Sequence, residues 1–121
     1  MENMTSSLEE YLKTTYILYK KNSQIRVTDI ANELNCTKSS VNRAIKILAK
    51  QGYINYETYG NITLTKLGVN KALEIVRRNE IIKAFLIQVL DVDEKVASKE
   101  AKNMKYAVSE DTITKLENYI E

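Results

Sequence analysis

Residues 37–50 read TKSSVNRAIKILAK, and the fold of the chain is organised around this stretch. On a helix with about 100° between residues, its apolar side chains fall on one side and its polar and basic side chains gather on the other. The apolar side holds Val41, Ala44, Ile45 and Leu48, and the opposite side holds Ser39, Asn42, Arg43, Lys46 and Lys50. No Asp or Glu occurs between Glu33 and Glu57, so phosphate oxygens can approach this helix without meeting a carboxylate. Alone, the pattern fits a basic binding helix and a solvated amphipathic helix equally well.

The composition restricts the classes of function. With 121 residues and a net charge of +2, the chain suffices for one domain with an appended oligomerisation segment, and any attraction to nucleic acid must come from a local basic patch. No histidine occurs and Cys36 is the single cysteine, which excludes a Cys/His zinc site and an internal disulfide. An enzyme is the weakest option, since there is also no phosphate-binding glycine loop and no small-molecule substrate is indicated. Without a signal-peptide pattern or a long apolar run, we expect a cytoplasmic protein with no membrane segment.

Two helices are predicted before the basic one. They cover residues 7–21, with Ser6 or Ser7 as the N-cap, and 29–34, with Thr28 as the N-cap. Residues 35–36 then form a tight turn into Thr37, whose hydroxyl can cap the basic helix. In this turn Cys36 is interpreted as a small buried apolar residue, with a redox role as the minor alternative. Two short helices joined by such a turn form a helix-turn-helix pattern.

A β-hairpin is predicted directly after the basic helix. Gly52 follows the basic helix at the position where a C-cap residue in the left-handed backbone region is expected. The segments 53–57 and 62–65 alternate in polarity and are rich in β-branched and aromatic residues. The tip between them includes Gly60 and Asn61, which tolerate positive φ. A hairpin in this place is typical of the wing of a winged helix-turn-helix domain. Tyr59 and Asn61 are predicted to reach the DNA backbone or minor groove, although ordinary turn chemistry explains Asn61 equally well.

The last part of the chain reads as helical throughout. A long helix is predicted over 65–90, a fifth over 93–108 and a sixth from about 109 to 120. The last two are short and amphipathic, and no later segment covers them, so we expect a homodimer to bury their apolar stripes. The predicted fold class is mainly α with a small β-hairpin. Residues 1–65 would form the winged helix-turn-helix DNA-binding domain, and residues 66–121 a long linking helix plus a helical dimerisation domain.

The predicted partner is double-stranded DNA with a roughly two-fold symmetric site. The predicted DNA-binding residues are Thr37, Lys38, Ser39, Ser40, Asn42, Arg43, Lys46, Tyr59 and Asn61. Arg43 is the best candidate to bind a guanine edge, and Asn42 could bind an adenine or a phosphate. Ser39 and Ser40 could contact bases or backbone. Thr37, Lys38 and Lys46 are expected to contact phosphates. A rival interpretation is a winged-helix protein-interaction module whose basic helix meets an acidic protein surface.

Short motifs spread over nearly the whole chain point to a family. They are SLEEYL at 7–12, RVTDIA at 26–31, SSV at 39–41, GYI at 52–54, YE at 56–57 and LT at 64–65, followed by Gly68, Ala72, RR at 77–78, FL at 85–86 and Ser109. In order and spacing the chain resembles the diphtheria toxin repressor family of metal-dependent regulators, specifically its short manganese-repressor (DtxR/MntR-like) branch. The resemblance implies a homodimeric repressor with an N-terminal winged helix and a helical dimerisation half, without the SH3-like domain of longer members.

The resemblance also implies positions for metal ligands, and there the sequence departs from the family. In the manganese branch, carboxylates and histidines on helices one, four and five bind a pair of metal ions. The matching positions here are Glu10, Lys13, Asn79, Lys102, Lys105 and Tyr106. Only Glu10 is a ligand of the expected kind, because a lysine ammonium has no free lone pair near neutral pH and repels cations.

Three explanations of these replacements stay open. In the first, Lys102 and Lys105 pair with Glu10 and act in place of the metal, which leaves a regulator that needs no cofactor. In the second, the lysines are a solvated face that remains after the site decayed. In the third, the protein responds to Mn or Fe through a shifted site. The side chains available for such a site are Glu9, Glu10, Glu80 and Glu100.

Overall fold

The computed structural model describes residues 4–57 and 60–120, and within them the chain forms helices and one β-hairpin. The elements in chain order are α1 (Ser6–Lys21), α2 (Val27–Leu34), α3 (Lys38–Lys50), β1 (Ile54–Tyr56), β2 (Ile62–Leu64), α4 (Lys66–Gln88), α5 (Glu94–Met104) and α6 (Glu110–Ile120). The predicted fold class is therefore confirmed. The chain divides into two compact units, Met1–Leu73 and Glu74–Glu121. Among the described residues, no helix is both long and apolar enough to cross a membrane.

The first unit has a core made by α1, α2, α3 and the hairpin. Solvent does not reach Leu12, Ile30, Ile45, Leu48 or Ile62, which come from all four of these elements. β1 and β2 pair antiparallel. Burial of apolar surface contributes about 25 cal/mol per Å², so this core fixes which side of α3 faces inward.

The start of α2 differs from the prediction. Ile25 pairs with Ile62, whose N–H donates to the Ile25 carbonyl at 2.8 Å, and this short extended contact ends where α2 begins. The backbone N–H of Arg26 donates to Asp29 Oδ2 at 2.8 Å. Because Asp29 closes the helix start from inside the first turn, the predicted cap at Thr28 is wrong.

The other caps of the first unit follow the expected chemistry with one shift. The N-cap of α1 is Thr5, whose Oγ1 accepts from the Leu8 N–H at 3.2 Å, so the predicted cap at Ser6 or Ser7 is wrong. Thr37 caps α3 as predicted. Gly52 has φ 87°, which confirms the left-handed position after α3.

Thr65 joins the hairpin to α4. Its hydroxyl lies 2.7 Å from the Gly52 carbonyl and 3.0 Å from the Tyr53 carbonyl, and it accepts from the Gly68 N–H at 3.0 Å. The backbones approach so closely that a Cβ at Gly68 would stand 1.9 Å from the Tyr53 oxygen. Only glycine fits there, so Gly68 fixes where the hairpin meets α4.

The second unit packs the end of α4 against α5 and α6. Ile82, Ala97, Ala101 and Ile113 are completely buried at its centre. The predicted fifth helix over 93–108 is too long, since α5 ends at Met104. The chain turns there because the Arg78 guanidinium donates to the carbonyls of Lys105 at 2.6 Å and Val108 at 2.8 Å. These bonds satisfy carbonyls at the helix end that would otherwise have no partner.

Candidate nucleic-acid interface

α3 presents one buried and one exposed face, as the sequence predicts. Val41, Ala44, Ile45 and Leu48 are buried. On the other side Lys38, Ser39, Arg43, Lys46 and Lys50 are exposed, while Ser40 and Asn42 are half-buried. The first turn of α3 contains no acidic residue. The exposed face is therefore basic along its length.

Hydroxyl groups cluster at the N-terminus of α3. Thr37 Oγ1 accepts from the Ser40 N–H at 3.1 Å, and it lies 2.9 Å from Ser40 Oγ and 3.2 Å from Ser39 Oγ. The capping role of Thr37 thus orients both serines. The N-terminal end of a helix carries about half a positive charge, and together with these hydroxyls it favours an anion or a base acceptor.

The side chain of Asn42 is held by the hairpin. The Tyr56 hydroxyl donates to Asn42 Oδ1 at 3.2 Å. This bond uses the oxygen of the amide, and an amide also carries two N–H donors on its nitrogen. Sequence reasoning missed Tyr56. Its position two residues after Ile54 in the first hairpin segment indicates that its side chain lies on the same face as that of Ile54, which is buried.

A cleft, the α1–α3 cleft, opens between the first turn of α1 and α3. Its volume is about 330 Å³. The residues that line it are Thr5, Ser7, Leu8, Tyr11, Ser40, Arg43, Ala44 and Ile47. The Tyr11 hydroxyl lies 4.0 Å from Cys36 Sγ, and burial raises the pKa of Tyr11, with the Cys36 hydrogen bond adding to the effect. Cys36 is half-buried in the turn. Sequence reasoning missed the α1 side of the cleft because it treats Ser7 only as a possible N-cap and does not single out Thr5.

The hairpin tip is partly described. Asn61 is half-buried, and its carbonyl accepts from the Glu57 N–H at 3.1 Å, while the Gly60 N–H donates to the Glu57 carbonyl at 2.9 Å. Gly60 has φ 93°. The backbone of Asn61 therefore closes the turn, and its side chain as a DNA contact stays a prediction. Tyr59 lies outside the described residues.

The positions that match family metal ligands carry a poor donor set. Lys13 Nζ lies 3.6 Å from Glu10 Oε2 on the same helix. Lys105 is 6% exposed, with Nζ 5.2 Å from the centroid of the Tyr106 ring, and Asn79 is buried with no hydrogen-bond partner for Oδ1. Within residues 4–57 and 60–120, no group of at least three His, Cys, Asp or Glu side chains is placed to hold a metal ion.

These residues do not fit the metal pair of the family, because an ammonium cannot coordinate a cation and one amide oxygen is a weak ligand by itself. The hypothesised pairing of Glu10 with Lys102 and Lys105 would join the two units and stays a prediction.

Two family models together match nearly all of the chain. The iron dependent repressor N-terminal DNA binding domain matches residues 3–62, and the iron dependent repressor metal binding and dimerisation domain matches residues 65–121.

The matches to individual proteins also cover nearly all of this chain. The chain is 39% identical over 119 residues to an uncharacterized HTH-type transcriptional regulator of Methanocaldococcus jannaschii, with 98% of this chain and 95% of the relative covered. It is 30% identical over 117 residues to the HTH-type transcriptional regulator MntR of Lysinibacillus sphaericus, with 97% and 84% covered. A solved manganese-dependent transcriptional repressor in complex with manganese is similar at 26% identity and a TM-score of 0.79, with 93% of this chain covered. The chain spans about half of that repressor, 52% of its length.

Proposed function

The chain belongs to the iron-dependent repressor family, and from this membership we propose that it represses transcription as a homodimer that binds a palindromic operator through α3. The observation that supports this most directly is the exposed basic face of α3, with a hydroxyl-rich N-terminus and no carboxylate between Glu33 and Glu57. A two-fold dimer presents two copies of α3 and requires half-sites separated by about one turn of DNA, roughly 34–36 Å, or a multiple of it. We place this activity in the cytoplasm and assign no catalytic residue.

We assign separate roles to the side chains of α3. Arg43 donates two hydrogen bonds to a guanine edge, and Asn42 uses its free N–H donors on an adenine or a phosphate. Ser39 and Ser40 contact bases or backbone at the helix start. Thr37, Lys38 and Lys46 contact phosphates. Tyr59 and Asn61, at the tip of the hairpin, contact the DNA backbone or the minor groove.

The proposal is tested by the salt dependence and the footprint of binding. Affinity of the full chain for an operator selected from a random duplex library is measured by fluorescence anisotropy between about 50 and 200 mM salt. We expect a steep fall in affinity with salt and nuclease protection of a two-fold symmetric sequence. Weak, salt-insensitive binding without a protected site would instead favour the protein-interaction module.

We propose that residues 1–65 bind DNA and that residues 66–121 link and dimerise. The second unit exposes apolar side chains suited to a second copy of the chain: Leu90 is 57% and Tyr119 69% exposed, and the Phe85 and Tyr119 rings meet edge-on with centroids 6.0 Å apart. Sedimentation equilibrium should give a dimer, and Leu90→Glu should shift it towards monomer because a buried carboxylate is costly at such an interface. A fully dimeric Leu90→Glu would place the interface elsewhere.

We propose further that DNA binding needs neither Mn nor Fe. The support comes from the residues at these positions: Glu10 is paired with Lys13, and the buried Lys105 stands where the family has a carboxylate. Equilibrium dialysis of the full chain against manganese should show no tight site. Tight binding would favour the shifted acidic site. The ligands of that site would come from among Glu9, Glu10, Glu80 or Glu100.

A further inference from the structure

The α1–α3 cleft has the chemistry of a site for an anion that also carries apolar surface. Ser7, Tyr11, Ser40 and Arg43 supply polar groups, and no carboxylate lines the cleft. Its apolar part is made by Leu8, Ala44 and Ile47. A ligand with a negative charge can pair with the guanidinium and accept from the hydroxyls, whereas a purely apolar ligand can do neither.

The donors of the cleft are available for such a ligand. Ser40 Oγ accepts from the Thr37 hydroxyl at 2.9 Å, which leaves its own hydrogen to donate. Arg43 is exposed and lines the cleft, where its guanidinium supplies donors in a fixed planar arrangement. The first turn of α1, which contains Ser7, adds the partial positive charge of a helix start.

We infer that the α1–α3 cleft binds one phosphate and the adjoining deoxyribose of the DNA backbone in each half-site. The inference rests on the proposed function of α3. Ser40 and Arg43 belong both to the cleft and to the face of α3 that would enter the major groove, and phosphates border that groove. A duplex that docks on α3 therefore brings its backbone to α1. The sugar carbons meet the apolar part, the phosphate oxygens meet the hydroxyls of Ser7 and Ser40, and the nearby charge of Arg43 favours the anion while its guanidinium reads the base.

A negative charge introduced at Ser7 should weaken the phosphate contact without destabilising the fold. Ser7 lies in the first turn of α1, where an acidic side chain stabilises the helix, so Ser7→Asp should unfold no earlier than wild type on heating. Ser7→Asn is the matched control, since it has the same size without the charge. A carboxylate about 4 Å from a phosphate should lower affinity about fivefold in each half-site at low salt.

The phosphate contact carries no sequence information, so Ser7→Asp should bind both operator and random duplex DNA about fivefold more weakly in each half-site than Ser7→Asn does. Equal affinity of the Asp and Asn variants would overturn the inference, and steep salt dependence of the wild type would still leave the proposed function standing. Loss of inorganic phosphate binding in Ser7→Asp without any change in DNA affinity would assign the cleft to a free anion and also overturn it. If the wild type binds no duplex DNA, the proposed function and this site both fail.

Discussion

Tyr56→Phe should weaken operator binding although Tyr56 is not assigned a contact with DNA. The substitution removes the hydroxyl that donates to Asn42 Oδ1 at 3.2 Å and changes little else. A neutral, half-buried hydrogen bond of this kind contributes about 0.5–1.5 kcal/mol. If the bond serves to orient Asn42 for DNA, its loss should lower affinity about two- to tenfold in each half-site, and the preference at the base read by Asn42 should relax.

The assay is operator affinity by fluorescence anisotropy, with a set of half-site variants to measure base preference and thermal unfolding to check the fold. Tyr53→Phe is the matched control, since it removes the same group from another half-buried tyrosine next to the hairpin. In an Asn42→Ala background Tyr56→Phe should have no further effect on binding. An equal loss with and without Asn42, or an equal loss for Tyr53→Phe, would refute the proposed orientation of Asn42 by the hairpin.

Three further predictions concern the contact between the hairpin and α4, the second unit, and α3. Gly68→Ala should lower the free energy of unfolding by at least about 1–3 kcal/mol, measured by denaturant titration, because its Cβ would stand 1.9 Å from a backbone oxygen; an unchanged midpoint would contradict that contact. Arg78→Met should increase hydrogen exchange at the end of α5 and the start of α6, since two carbonyls lose a charged donor; protection equal to wild type would mean that the guanidinium does not hold this turn. Arg43→Ala should relax specificity at one base position, whereas Lys46→Ala should weaken all sequences alike and flatten the salt dependence. Equal losses on operator and random DNA for Arg43→Ala would remove its role as a base reader.

The buried side of each element could be predicted from the sequence, and its ends only where the capping residue is local. The apolar stripe of α3 and its cap at Thr37 follow from residue types at fixed spacing. The prediction for the start of α2 is wrong because Asp29, and not Thr28, supplies the capping oxygen, and because Ile25 just before it pairs with a strand that comes much later in the chain. The end of α5 likewise depends on Arg78, which is distant in sequence.

The candidate site shows the same division. The basic face of α3 is a local property of one helix and is readable from its periodicity. The hydrogen bond from Tyr56 to Asn42 and the α1–α3 cleft join segments that are brought together only by folding, and no local pattern marks Ser7 as part of a binding surface. Sequence patterns therefore predict individual helices and strands, whereas long-range packing determines which of their side chains lie close together.

The proposed independence of DNA binding from metal is tested most directly by operator affinity. Affinity of the full chain is measured in excess chelator and again with added manganese or iron, at the same ionic strength because phosphate contacts make binding salt-dependent. The lysines at positions that match family metal ligands, Lys13 beside Glu10 and the buried Lys105, predict the same dissociation constant, within about twofold, in every condition. A gain of tenfold or more on addition of either metal, about 1.4 kcal/mol, would contradict it.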